Sequence, residues 1–124
     1  MPKNIPKNVV LTGYLPETEF ICMLHSVDVI VDLTERENCL LCGAYEAVAV
    51  GKPLIVSDTE VLRKHFRTGV LYTDNTSKDL ADKIEEALFN KNHLGMEIKS
   101  LREELNTEWQ SKRHSLERLL HELT

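Results

Sequence analysis

Glu46 stands in a run of small and apolar residues: Ala44, Tyr45, Ala47, Val48 and Ala49. A carboxylate inside an apolar helix is costly unless it has hydrogen-bond partners. The two hydroxyls of a ribose suit it, because one carboxylate can accept from both. The residues just before it are Thr34, Glu35, Arg36, Glu37, Asn38, Cys39, Leu40 and Leu41. They pass from polar to apolar, as a strand–loop–helix junction does. The N-terminus of a helix presents unpaired backbone N–H groups, which favour anions such as phosphate. The junction is therefore a candidate for holding phosphate and ribose together. The plainer alternative is a Glu46 on the exposed stripe of the helix, solvated and without a role.

Other chemistry is thinner. Cys39 and Cys42 have a C-x-x-C spacing, but no second pair completes a structural zinc site, so both are expected to be buried apolar cysteines. His25, His65, His93, His114 and His121 form no catalytic or ligand spacing. The run Val29, Ile30, Val31, Asp32 allows a receiver domain phosphorylated on Asp32. Such a domain also needs an acidic pair after its first strand, and residues 9–15 contain none.

The elements that would position these groups alternate between strand and helix. Residues 9–11 (Val-Val-Leu), 27–33, 54–56 and 70–72 are short apolar runs rich in β-branched residues, read as buried strands. A helix is expected after Pro16, with Phe20, Met23, Leu24 and Val27 on one face. A second runs from about Cys39 to Val50, closed by Gly51 and Pro53. A short third, capped by Asp58, ends near Phe66. Thr76 and Asp79 resemble a capping box ahead of Leu80, Ile84, Ala87 and Leu88. Residues 94–124 read as a charged amphipathic helix with a break near Asn106 and Thr107. The fold class is α/β: a Rossmann-like parallel sheet of about four strands with flanking helices and a long C-terminal helix or helix pair. Ligands of such sheets bind at the carboxyl ends of the strands.

Composition narrows the partners. The 124 residues carry a net charge of −5 without a basic run, which argues against nucleic acid. No apolar stretch approaches the ~20 residues of a membrane span. Three cysteines and no signal-peptide pattern fit a reducing cytoplasm. At this length one domain is expected, over residues 1–124.

Three stretches taken together carry a resemblance. They are residues 8–15 (Asn-Val-Val-Leu-Thr-Gly-Tyr-Leu), residues 27–31, and residues 46–58, which begin Glu-Ala-Val-Ala-Val-Gly-Lys-Pro. Over roughly residues 8–90 the chain resembles the donor-binding domain of the group 1 (family four) glycosyltransferases, enzymes of GT-B architecture with two Rossmann-like domains. The resemblance implies transfer of a sugar, of hexosyltransferase type, from a nucleotide-diphosphate donor to an acceptor such as a growing polysaccharide or lipid-linked glycan. It implies Glu46 on the donor ribose. It also places Asn38, Glu37, Cys39, Leu40, Leu41, Gly13 and Tyr14 against the donor. The family carries a further glutamate where this chain has Asn38, eight positions before Glu46, and glycines where it has Cys39, Leu40 and Leu41. Glu37, one residue away, is the available substitute. No metal or other cofactor is implied, and no catalytic residue falls within this chain.

The resemblance further implies a chain shorter than the whole enzyme, lacking the acceptor-binding domain and the first two strand–helix units. The chain alone is then expected to be inactive, with peripheral membrane association open to a longer parent. A degenerate, non-catalytic interaction module is the alternative. In the family's strand order the absent strands lie between residues 9–11 and 29–31. The expected repair is that residues 9–11 slide in beside residues 29–31, leaving apolar surface that favours self-association.

Overall fold

The computed structural model describes residues 4–123. Eight elements follow one another: α1 (Glu17–Ser26), β1 (Ile30–Asp32), α2 (Cys42–Val50), β2 (Leu54–Ser57), α3 (Glu60–His65), β3 (Val70–Thr73), α4 (Ser77–Phe89) and α5 (Lys91–Leu123). The three strands form one parallel sheet in the order β1-β2-β3, a Rossmann-like α/β layer. Ile30 pairs with Leu54, and Leu54 with Val70.

Central β2 is buried at every residue, as a strand covered on both faces must be. Its side chains alternate between two cores. Leu54 and Val56 pack with Ala44, Ala47 and Val48 of α2, Leu62 of α3, and Ile98 and Leu101 of α5. Ile55 points to the other face, against Ala87 of α4 and Leu94. Six fully buried aliphatic residues here, Leu54, Ile55, Val56, Leu62, Ile98 and Leu101, are worth about 1.5–3 kcal/mol each.

Helix ends follow local chemistry. Pro16 stands at the N-cap of α1, and Gly51 closes α2 at φ 75°. The Thr76 hydroxyl accepts from the Asp79 N–H at the start of α4, the cap expected there. The cap of α3 is Thr59, whose hydroxyl accepts from Leu62 N–H, and not Asp58. Asp58 instead binds the Arg63 guanidinium, which holds its carboxyl below the ordinary carboxylate range.

Two expectations need correction. Residues 9–11 are not a strand. Val9, Val10 and Leu11 are 46%, 80% and 50% exposed, and β1 pairs with β2 alone among the described residues. Three apolar residues do not make a strand without a partner ladder. The proposed repair of the sheet fails, and the outer edge of β1 stays open. α5 also runs unbroken through Asn106 and Thr107. Both residues are only mildly unfavourable in a helix, and the Thr107 hydroxyl donates back to the Glu103 carbonyl at 2.9 Å.

Candidate functional site

α2 is the element on which the candidate site turns. Its N-cap, Leu41, supplies no side-chain hydrogen bond, and no acidic residue lies in its first turn. The first-turn N–H groups of such a helix are available to an anion. The end of β1 approaches that turn closely: a Cβ at Gly43 would overlap the Asp32 carboxylate. Gly43 is therefore the residue that lets β1 and α2 meet, and it brings the Asp32 carboxylate against the first turn of α2.

One turn further along α2, Glu46 is half-buried. It lines a groove of about 390 Å³ between α1 and α2, with Phe20, Ile21, Leu24, Val50 and Glu17. The walls are mostly apolar. The Glu46 carboxylate has no hydrogen-bond or ion-pair partner among the described residues. It is thus neither a fully solvated surface group nor a satisfied core one.

Loop residues gather at a second place, the carboxyl ends of the strands. Ser57 of β2 is 2% exposed. Its hydroxyl accepts from Thr34 N–H at 2.8 Å and donates to Asn75 Oδ1 at 2.6 Å. Asn75 Nδ2 in turn donates to the Thr34 carbonyl at 3.0 Å. These bonds tie the loops after β1 and β3 to the end of β2 in one ring. Thr34, Glu35, Glu37, Asp58 and Asp74 surround a small cleft of about 100 Å³ there. Its charge is negative. Below it, hydrogen bonds from the Thr73 hydroxyl and the Asp74 N–H keep the Asp79 carboxyl ionised to lower pH than usual.

The residues singled out from the sequence are thus distributed. Glu46 and Glu37 line different concavities. Asn38 adopts φ 57°, a left-handed conformation that asparagine tolerates well, and turns the loop toward α2. Cys39 and Leu41 are half-buried and Leu40 is 44% exposed. Gly13 has φ 62° in open space, and Tyr14 beside it is 93% exposed. Cys39 is half-buried and Cys42 exposed, both free thiols, so the expectation of two buried cysteines does not hold. Sequence reasoning missed the Ser57–Asn75–Thr34 ring, whose members lie 18 to 41 positions apart. It also missed the cluster of Tyr45, His65 and Phe66, with ring centroids 4.8 to 5.3 Å apart. No helix among the described residues is long and apolar enough to cross a membrane.

A family model, "Glycosyl transferases group 1", matches residues 2–106. Comparisons with curated proteins and with solved structures gave no match. The family match runs through the sheet, α2 with Glu46, and the anchored part of α5, so the resemblance drawn from short stretches holds across most of the chain. A parallel sheet flanked by helices is the frame such a domain needs, and the chain belongs to the group 1 glycosyltransferases, with a role in glycosyl transfer.

Proposed function

We propose that this chain is the donor-binding portion of a glycosyltransferase and that Glu46 accepts the ribose hydroxyls of a nucleotide-diphosphate sugar. The observation that carries the reading is the unpartnered, half-buried Glu46 carboxylate on the wall of an apolar groove. Nucleosides match that surface: the base offers a flat apolar face and the ribose two donors. The diphosphate then extends toward the uncapped first turn of α2. Gly13, Tyr14, Asn38, Glu37, Cys39, Leu40 and Leu41 border the path on the loops before α1 and α2. The sugar is a hexose and the acceptor a growing polysaccharide or a lipid-linked glycan, handled at the cytoplasmic side. Leaving-group charge in such a transfer is stabilised by basic groups and a helix dipole, with no metal required.

Calorimetric titration of the 124-residue chain with UDP, GDP and ADP tests the assignment. Glu46→Gln should weaken the binding nucleotide by about 1–3 kcal/mol, the range for losing charged hydrogen bonds. Unchanged affinity in the variant rejects the role of Glu46.

A second reading has one observation in its favour. Asp32 against α2, together with Glu35, Glu37, Asp58 and Asp74 at the strand ends, makes the region acidic. That disfavours a diphosphate and fits a non-catalytic interaction module. Asp32→Asn discriminates the two. Under the donor reading it should strengthen diphosphate binding more than binding of the bare nucleoside. Absence of binding by every nucleotide, in both proteins, favours the module.

A further inference from the structure

One stripe of α5 is covered along half its length and bare along the rest. Leu94, Ile98, Leu101 and Leu105 seat it on the two cores. The same face continues through Trp109, Lys112, Leu116, Leu119 and Leu123, because at 3.6 residues per turn all of these lie within a sector of about 80°. Leu116, Leu119 and Leu123 are 53%, 58% and 83% exposed, and Leu120 on the margin of the stripe is 54% exposed. An apolar surface kept this regular and this open marks an interface. The family match ends at residue 106, so the bare half lies outside it.

Charge and shape select the occupant. Lys112 interrupts the bare stripe and Glu122 flanks its far end, and neither has an ion-pair partner among the described residues. Their midpoint is residue 117, and Leu116 and Leu119 straddle it. A two-fold axis there lays Leu116 on Leu119 of a second copy, in both directions, and brings each Lys112 to the other copy's Glu122. The surface is thus complementary to itself when reversed. Run parallel, it would set Lys112 against Lys112 and Glu122 against Glu122. Parallel pairing also fails on shape. The domain sits on the same face of α5, at Leu94, Ile98 and Leu101, where a parallel partner's helix would have to pass. In the antiparallel pair each domain lies beyond the other helix's tip.

We infer that the bare half of α5 is a homodimerisation surface, on which two copies pair antiparallel over residues 112–123. The overlap is about 18 Å long. This register places each Leu123 beside Lys112 of the second copy, at the mouth of a groove of about 290 Å³ that Tyr45, Leu105 and Trp109 also line. The groove takes the tip of the partner helix. The four leucines of each copy expose roughly 450 Å², so the pair buries on the order of 1,000 Å², the lower bound of a specific interface, and the dimer is weak and reversible. The surface is separate from the open edge of β1 and from Glu46, so the pairing stands whether or not that residue holds a nucleotide.

Sedimentation equilibrium of the full chain, from about 10 μM to about 1 mM at low salt, tests the pairing. The mass should rise with concentration from one copy toward two, with a Kd on the order of 100 μM. Leu119→Glu, at an exposed position, should leave far-UV circular dichroism and the urea midpoint unchanged and weaken pairing about tenfold or more. Phe89→Ser, which removes a ring 90% exposed elsewhere, should not alter it. Lys112→Glu and Glu122→Lys should each weaken pairing about fivefold by setting like charges together, and the double variant should regain most of the loss. A monomer throughout the range overturns the inference. So does a dimer indifferent to Leu119→Glu, or one in which the double charge exchange pairs no better than the single ones.

Discussion

Gly69→Ala should be the most damaging single-methyl change in this protein, and Gly13→Ala provides its internal control. Both glycines have left-handed backbone, φ 74° and 62°. Alanine in that region costs about 1–2 kcal/mol at either position. Their surroundings differ completely. A Cβ at Gly13 meets nothing within 4 Å. At Gly69 it would lie 2.5 Å from Ile98 Cγ1, 2.6 Å from Ile98 N and 2.9 Å from the Leu94 carbonyl oxygen. Two of those three atoms are helix backbone, which no rotamer change can move. The clash is relieved only if α5 lifts from the loop before β3. α5 is held there by Leu94, Ile98 and Leu101, all buried. Losing their burial outright would forfeit about 5–9 kcal/mol as an upper bound, and partial lifting costs about 1–3 kcal/mol. Gly69→Ala should therefore destabilise by about 2–5 kcal/mol, a large share of the total for a domain of this size. Urea unfolding followed by far-UV circular dichroism measures both variants. If they differ by less than about 1 kcal/mol, α5 is not seated on that loop as described.

Three further outcomes follow from the geometry. Ser57→Ala leaves Thr34 N–H and Asn75 Oδ1 without their partner and should cost about 1–2 kcal/mol in urea unfolding, whereas Ser57→Thr should retain most of it. Thr76→Ala removes the acceptor for Asp79 N–H and should cost about 1 kcal/mol, recovered by Thr76→Ser; a neutral result would deny the cap. For His65, burial lowers the folded pKa below the 6.5 of the unfolded chain. The unfolded state then binds more protons, so the contribution is complete above pH 6.5 and is lost as pH falls through the folded value. Stability should decline from pH 7.5 toward pH 5 more steeply in the wild type than in His65→Gln, and parallel curves would remove His65 from the account.

Much of the frame was legible because it rests on local patterns. Leu54, Ile55 and Val56 between Pro53 and Ser57 announce a buried strand. Gly51 and Thr76 announce helix ends. What failed depended on neighbours far away in the chain. The Val-Val-Leu of residues 9–11 has strand composition, but a strand exists only where another strand offers its N–H and C=O groups. Asp58 and Thr59 are both able caps, and Arg63, five residues beyond Asp58, decided between them by drawing the carboxylate away. Glu46 was found because a charge among alanines and valines is conspicuous. The imidazole of His65 was not, since its isolation depends on Tyr45, Phe66 and α5 closing around it. The Ser57–Asn75–Thr34 ring joins two loops to the end of β2 through the Ser57 and Asn75 side chains and the Thr34 backbone, which carry no pattern of their own.

The length of α5 has a mechanical consequence. At 33 residues it measures about 50 Å, more than three times the radius of gyration of about 14 Å for a compact chain of this size. Its first half is clamped at Leu94, Ile98 and Leu101, and from Asn106 to Leu123 every residue is exposed. From Ile98 to Leu123 the helix is about 38 Å long, so a tilt of about 10° at the clamp moves its tip by about 6–7 Å. The contact between Gly69 and the turn around Ile98 acts as a fulcrum. Any event that rotates the β3 approach loop by a small amount is read out, magnified, at Leu119 and Leu123.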